Sequence, residues 1–348
     1  MPPMRDTRCP AFLITIDTEG DNLWSRPRII TTRNAEHLPR FQALCEAFGF
    51  KPTYLVSHEM VESPAFREFA GDVLRRGVGE IGMHLHAWNT PPIVPLSGDD
   101  WRVQPYLIEY PPEVIEQKVV RMTGLLEDAF GVKMRSHRAG RWGLNTHYAQ
   151  VLVRHGYRVD CSVTPYVSWK SHRGYPAGSG GPDFTGFPTD AYFVDLGDIS
   201  RLGASSLLEV PMTIMPSGQP WRRIGRRATA RWPLAHRAWE RLVPSVHWLR
   251  PNGRNQPALL WILQRAEAER RSYVEFMLHS SELMPGGSPR FQASTDIERL
   301  YRDLEALCTA ARGRFRGETL AEFHARVAGA PAIRSAAHAP GPGDRVAR

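Results

Sequence analysis

The chain has 348 residues, of which 42% are hydrophobic, so it can bury the core of one large domain or two ordinary ones. Lys and Arg outnumber Asp and Glu by 44 to 36, which gives a formal charge of +8, and only four of the basic residues are Lys. The four Cys are far apart and form no C-x-x-C pair, so we expect no disulfide framework. No apolar run approaches the roughly 18 residues of a membrane span, and the N-terminus lacks the pattern of a signal peptide. We therefore expect a soluble, cytoplasmic protein.

Short apolar runs alternate with longer amphipathic ones along most of the chain. The patterns predict strands at 11–17, 52–57, 80–86, 134–138, 157–163, 207–215 and 272–280, and helices at 32–50, 63–77, 111–131, 144–156, 257–271 and 296–313. Ser63 is a predicted N-cap, and Pro64 fits the first position of the helix that follows. Repeated strand–helix units predict an α/β fold with a parallel sheet, either a barrel or an open doubly wound sheet.

Three segments depart from this alternation. Residues 171–206 interrupt the alternation, their Gly-, Pro- and Ser-rich part at 171–190 reads as a long loop, and residues 217–258 read as an insertion. The segment 328–348 has few large apolar residues and is predicted to be disordered. We therefore expect one catalytic domain over 8–327 with the insertion at 217–258.

Acidic residues follow the first predicted strand, at the end where parallel α/β folds carry their active sites. Asp17 and Glu19 are two residues apart, so on an extended strand they point the same way. One carboxylate can bind a cation while the other serves as a base. The alternative is an ordinary solvated loop.

A histidine pair ends the third predicted strand. His84 and His86 are again two apart and share a face, and with one carboxylate they form a two-His, one-carboxylate set of the kind that holds zinc, iron or cobalt in a reactive site. The alternative is a pair of surface histidines whose hydrogen bonds are satisfied elsewhere.

Two further strand ends carry chemically useful side chains. Arg138 ends the fourth predicted strand, where its guanidinium can hold a carboxylate by forked hydrogen bonds. His279 ends the last one, where an imidazole can donate a proton near neutral pH. Each could instead be structural, but together with the acids and the histidine pair they predict a metal-assisted hydrolase.

The order of these motifs resembles that of the polysaccharide deacetylases of carbohydrate esterase family 4, from about Phe12 to His279. The resemblance implies a distorted (β/α)7 barrel with a helical Arg- and Trp-rich insertion before the last strand, and a bacterial enzyme that removes N- or O-acetyl groups from sugars. It also implies that Asp17 is the catalytic base, that Arg138 orients this base, and that His279 is the acid. The branch that it resembles most is associated with bacterial polysaccharide and lipopolysaccharide biosynthesis.

The metal ligands implied by the resemblance require two substitutions. The family's second Asp binds metal, but Thr18 stands at that position, so the role falls on Glu19, with Asp21 as a rival. His84 matches the first His of the family's metal motif.

The second His of that motif is expected at position 88, where this chain has Trp88, and His86 is the substitute. The implied ligand set is therefore Glu19, His84 and His86. The implied cofactor is a divalent metal, with Zn²⁺ first and Co²⁺ or Ni²⁺ as alternatives.

The Arg-rich segment 221–241 holds seven Arg and three Trp. It is either a solvated face with buried Trp or an interfacial helix that would give the protein peripheral membrane contact. The expected partner is an N-acetylated glycan or a lipid-linked sugar, and no nucleic acid is expected, although the charge alone would allow it. The remaining alternatives are a deformylase of an amino sugar lipid and an inactive sugar-binding barrel.

Overall fold

The computed structural model describes residues 9–217 and 245–329, together with the single residues 228 and 232. The predicted Arg- and Trp-rich helix over 221–241 lies outside the described residues, apart from Ala228 and Trp232. The tail that was predicted to be disordered lies outside them from residue 330 onward.

A parallel sheet forms the centre of the described fold. The described strands are β1 (Ala11–Thr18), β2 (Pro52–Val56), β3 (Glu80–Leu85), β4 (Ser136–Ala139), β5 (Val159–Asp160), β6 (Tyr192–Asp195), β7 (Asp198–Leu202), β8 (Leu208–Glu209), β9 (Ile214–Pro216), β10 (Val246–Trp248), β11 (Tyr273–His279) and β12 (Arg316–Gly317). Strands β9 and β10 pair with each other in a separate two-stranded ribbon, and the other ten form the sheet. The order β11-β1-β2-β3-β4-β5-β8 is parallel throughout, and β6 and β7 extend it as an antiparallel hairpin.

Nine described α-helices connect and flank these strands. They are α1 (Leu38–Ala47), α2 (His58–Val61), α3 (Pro64–Arg76), α4 (Asp100–Val103), α5 (Pro112–Phe130), α6 (Thr146–Arg154), α7 (Gln256–Ala268), α8 (Ser294–Ala311) and α9 (Leu320–Gly329). The predicted start of α3 is confirmed, because Ser63 Oγ accepts a hydrogen bond from Phe66 N and Pro64 is the first helical residue. Within the described residues, no helix is both long and apolar enough to cross a bilayer.

The sheet curls so that β11 approaches the chain that follows β8. The backbone N of Glu275 on β11 donates to Thr213 Oγ1 at 2.8 Å, and the Tyr273 hydroxyl donates to the Pro211 carbonyl at 2.7 Å. Side chains therefore bridge the gap that no strand ladder closes. The fold is the predicted α/β barrel of seven parallel strands, incomplete at this seam.

Alternation along β1 shows how the sequence builds the barrel interior. Phe12, Ile14 and Ile16 pack outward in the large core cluster beneath the helices. Ala11 and Leu13 belong to a second, inner cluster, which also contains Leu320 and Phe323 of α9 and so fills the lower end of the barrel. The next inward positions of β1 are Thr15 and Asp17, which are buried and polar. The interior thus changes from apolar to polar toward the carboxyl ends of the strands.

The structure differs from the predicted elements in three places. No strand was predicted between the loop at 171–190 and residue 207, where β6 and β7 form a hairpin, a short edge pair with Leu202 exposed. The single strand predicted over 207–215 is divided into β8 and β9, which pair with different partners. Helix α9 was not predicted from the sequence.

Candidate metal and catalytic site

Parallel register brings the polar strand ends together at one end of the barrel. Asp17 of β1 is aligned with His279 of β11, and His84 of β3 is aligned with Arg138 of β4. Glu19 follows β1 directly. The side chains of Asp17, Glu19, His84 and Arg138 are buried, which places charged groups in a region shielded from bulk water.

Glu19, His84 and His86 form a compact triangle of ligand atoms. His86 Nε2 lies 2.9 Å from Glu19 Oε2 and 3.1 Å from His84 Nε2, and the third side, from His84 Nε2 to Glu19 Oε2, is 3.6 Å. Two ligand atoms on a tetrahedral ion, each about 2.0–2.2 Å from the metal, lie about 3.3–3.6 Å apart. The longest side falls in this range and the other two are 0.2–0.4 Å shorter than its lower limit, so the triangle is close to the size that one such ion requires.

Hydrogen bonds prepare His84 for metal binding. His84 Nδ1 lies 3.0 Å from the Arg138 carbonyl oxygen, so Nδ1 carries the proton and the lone pair of Nε2 faces the triangle. His86 Nε2 faces both His84 Nε2 and Glu19 Oε2, yet it has only one proton to donate. A divalent cation would interact favourably with all three atoms, so the donor set fits a metal.

The three side chains of the triangle shift one another's pKa. Burial opposes ionisation of Glu19, but His279, His84 and His86 more than offset it and hold the pKa of Glu19 well below its usual range. Burial also disfavours charge on His84, yet Asp17 and Glu19 raise its pKa. Burial lowers the pKa of His86. A metal at this site would therefore compete with a proton on His84.

Asp17 is held through one oxygen and free at the other. Arg138 Nη1 donates to Asp17 Oδ1 at 2.5 Å, while Asp17 Oδ2 lies 3.9 Å from His84 Nε2 and 3.8 Å from His279 Nε2. Burial would raise the pKa of Asp17, but Arg138, His84 and His279 together outweigh burial and lower this pKa below its ordinary value. The carboxylate is therefore ionised at neutral pH. Arg138 Nε in turn donates to the Cys161 carbonyl at 3.1 Å, so the backbone that follows β5 supports Arg138.

His279 directs one ring nitrogen toward the triangle. Its Nε2 lies 3.8 Å from Glu19 Oε1, whereas its Nδ1 lies 2.9 Å from Arg250 Nη2 and 3.2 Å from Glu282 Oε2. The edge of Trp24, which is 41% exposed, packs on the imidazole with ring centroids 4.8 Å apart. The imidazole is thus held on its far side and faces the site with Nε2.

The structure separates the two candidate carboxylate ligands. Asp21 Oδ2 accepts from Thr31 Oγ1 and Asp21 Oδ1 from the backbone and side chain of Asn34, so this carboxylate closes the loop after β1. Glu19 is the acid in the triangle.

Trp88, at the position where a His was expected, packs on His86 with ring centroids 4.2 Å apart.

The approach of the chain behind His86 requires a glycine. A Cβ atom on Gly140, which follows β4, would lie 2.6 Å from His86 Nδ1 and 2.6 Å from the Leu85 carbonyl oxygen. These distances are far below ordinary contact. Gly140 therefore makes room for the imidazole.

Sequence reasoning missed several supporting residues. Glu59, three residues past β2, connects the segments that follow β1, β2 and β3. Its Oε1 accepts from Gly20 N and Ser57 Oγ, both at 2.7 Å, and its Oε2 accepts from Asn89 Nδ2 at 2.8 Å. Arg250, Glu282 and Glu275, which contact His279 or Arg138, were also missed. Only Glu282 had a sequence signal, its place three residues after His279.

The chain was compared with known proteins. No protein-family model and no curated protein matches its sequence. Among solved structures it is similar to a candidate polysaccharide deacetylase from Mycobacterium smegmatis, with a TM-score of 0.55, 14% identity and coverage of 93% of this chain and 92% of that one. It is also similar to a candidate glycoside hydrolase/deacetylase from Parabacteroides distasonis, with a TM-score of 0.56, 11% identity and coverage of 91% and 70%. The resemblance to polysaccharide deacetylases is therefore confirmed at the level of the fold.

Proposed function

We propose that the protein is a metal-dependent hydrolase that removes N-acetyl groups from a sugar polymer or a glycolipid intermediate. The observation that carries this proposal is the meeting of a two-His, one-carboxylate triangle, a free carboxylate oxygen and an imidazole nitrogen at one barrel end. Metal-assisted amide hydrolysis uses an electrophilic cation, a base and an acid; the triangle would hold the cation, and the carboxylate and the imidazole would serve as base and acid. The shared fold with candidate deacetylases supports the same reaction class.

In this proposal each residue has one task. A divalent cation, best Zn²⁺ for this ligand set, bound by Glu19, His84 and His86 would polarise the amide carbonyl and lower the pKa of a water molecule. Asp17 Oδ2 accepts the proton of the attacking water, because Arg138 already occupies Oδ1.

The carbon–nitrogen bond then breaks as His279 Nε2 donates a proton to the leaving nitrogen. The products are acetate and the free amino sugar. Arg250 and Glu282 hold His279 from the opposite side, so its Nε2 stays directed at the reacting atoms.

The proposed substrate is a carbohydrate with an accessible N-acetyl group. A lipid-linked sugar would suit the Arg- and Trp-rich segment 221–241, since basic and aromatic residues favour the interface of an anionic membrane. This membrane contact is part of the proposal and concerns a segment outside the described residues.

The test measures bound metal and the release of acetate and formate from acetylated and formylated chito-oligosaccharides and from a bacterial polysaccharide. We expect Asp17→Asn to keep its metal and to lose at least about 10²-fold in kcat, because a positioned base contributes about 10²–10⁴. His84→Ala should lose both metal and activity. His155→Ala, which removes a histidine on the outer surface that pairs with Glu116, is the matched control and should change neither.

Acetate as the main product would support deacetylation, and formate would point to the deformylase alternative. A metal-loaded wild type that releases neither acid, or an Asp17→Asn variant with the activity of wild type, would overturn the proposal.

A further inference from the structure

A second carboxylate lies on the far side of Arg138. Glu275 of β11 is fully buried, and its Oε1 accepts a hydrogen bond from Arg138 Nη2. Arg138 therefore lies between two carboxylates, with Asp17 on Nη1 and Glu275 on Nη2. The described ligand triangle does not include Glu275.

Thr15 completes this contact. Its hydroxyl donates to Glu275 Oε1 at 2.5 Å and accepts from Arg138 Nη2 at 2.7 Å. Arg138, Thr15 and Glu275 thus form a closed ring of hydrogen bonds inside the barrel, beneath Asp17. A guanidinium held at Nε, Nη1 and Nη2 has little freedom to rotate.

Burying a second acid next to Asp17 is electrostatically costly. Desolvation is the largest reason why the pKa of Glu275 rises to about 7, and Asp17 also raises it. Glu275 Oε2 has no hydrogen-bond partner among the described residues. A buried carboxyl group with an unsatisfied oxygen contributes little to stability, so its contact with Arg138 is the feature that needs a functional account.

We propose that Glu275 is a positioning residue, which holds Arg138 so that Nη1 meets Asp17 Oδ1 and leaves Asp17 Oδ2 free to accept a proton. Without Glu275, Arg138 Nη2 would lose its charged acceptor and keep only Thr15 Oγ1, and the guanidinium could rotate toward both oxygens of Asp17. The base would then be blocked rather than oriented. The inference rests on the proposed function, since it assigns Glu275 a part in the same reaction.

The kinetic test uses Glu275→Gln, which preserves the shape of the side chain, with Glu209→Gln as its matched control. Glu209 is also a fully buried Glu at a strand end, but its neighbour Leu208 faces the inner cluster, so Glu209 faces the other side of the sheet, where it accepts from Val163 N and interacts with Asp160. We expect Glu275→Gln to lower kcat about tenfold, at the lower end of the 10–100-fold range for groups that orient reactive residues, with KM and metal content unchanged. Glu209→Gln should keep the kcat of wild type.

A double-mutant comparison shows whether Glu275 acts through Arg138. Once Arg138→Ala has removed the guanidinium, adding Glu275→Gln should lower kcat no further, because contacting residues are not additive. Losses that multiply, an unchanged kcat in Glu275→Gln, or an equal loss in Glu209→Gln would each overturn the inference.

A second readout does not depend on activity. In nitrogen-15 NMR spectra of the protein, the guanidinium of Arg138, identified by its loss in Arg138→Ala, should show slowed rotation, which Glu275→Gln speeds up and Glu209→Gln leaves unchanged. An unchanged Arg138 signal in Glu275→Gln would overturn the positioning role even if the protein is an active deacetylase. If the signal changes but wild type releases no acetate, the proposed function fails and the positioning of Arg138 by Glu275 stands.

Discussion

Replacement of His86 by Ala tests the ligand that the sequence left most open. His86 contributes two of the three sides of the ligand triangle, at 2.9 and 3.1 Å, whereas the adjacent Trp88 contributes none. Tight four-ligand zinc sites gain about 10–16 kcal/mol, or about 3 kcal/mol per ligand. Because 1.4 kcal/mol is about a factor of ten, His86→Ala should weaken zinc binding about 100-fold.

The assay is a competition titration of the metal-free protein with zinc and a chromophoric chelator at fixed pH. Trp88→Phe is the matched control, since it keeps an aromatic ring at this position and removes no hydrogen bond seen among the described residues, where the indole N–H has no partner. We expect Trp88→Phe to bind zinc within about threefold of wild type, because a lost contact without a hydrogen bond is worth less than about 1 kcal/mol.

Two results would refute this reasoning. If His86→Ala binds zinc as tightly as wild type, then His86 is not a ligand. If Trp88→Phe is weakened as much as His86→Ala, then packing of the loop, and not the imidazole nitrogen, controls the affinity.

Three other substitutions probe the support of the site. Gly140→Ala places a Cβ 2.6 Å from His86 Nδ1, so zinc affinity should fall about 10–100-fold. Burial opposes ionisation of Glu282, but Arg250 and His279 hold its pKa at about 2. The ionised Glu282 therefore stabilises the fold above about pH 4.5, and this contribution, at most about 3 kcal/mol, is lost as the pH falls toward 2. Glu282→Gln should flatten the pH dependence of the unfolding free energy in that window. Lys118→Met leaves two carbonyls of the loop after β3 without their donor and should cost about 1–3 kcal/mol in urea unfolding.

Each of these predictions has a contrary outcome. Gly124 has open space around its Cβ position, so Gly124→Ala is the control for Gly140→Ala, and equal zinc affinities in the two would contradict the steric argument. Parallel pH curves for wild type and Glu282→Gln between pH 4.5 and 2 would show that Glu282 does not carry the acid sensitivity. An unchanged urea midpoint in Lys118→Met would mean that other donors reach those carbonyls.

Much of the barrel could be predicted from local patterns. Apolar runs separated by amphipathic helices indicated parallel strands, and the central ones, β1, β2 and β3, lie where they were expected. The edge hairpin of β6 and β7 was missed, because short edge strands bury only one face and carry a weak hydrophobic pattern.

For the candidate site, the sequence by itself determined which side chains face inward at the strand ends. Asp17 with Glu19 and His84 with His86 share faces because the strand repeat is two residues, and parallel strands end at the same edge of a sheet. That reasoning is local, so it needs no knowledge of the rest of the fold.

Only the tertiary structure decided which partners meet these side chains. Glu275 and Arg138 are 137 residues apart in the chain, and Glu19 was distinguished from Asp21 by donors on the following loop, Thr31 and Asn34. Such choices depend on how strands curl and how loops return, because hydrogen bonds and ion pairs act over a few ångströms in space and carry no signature in the order of residues.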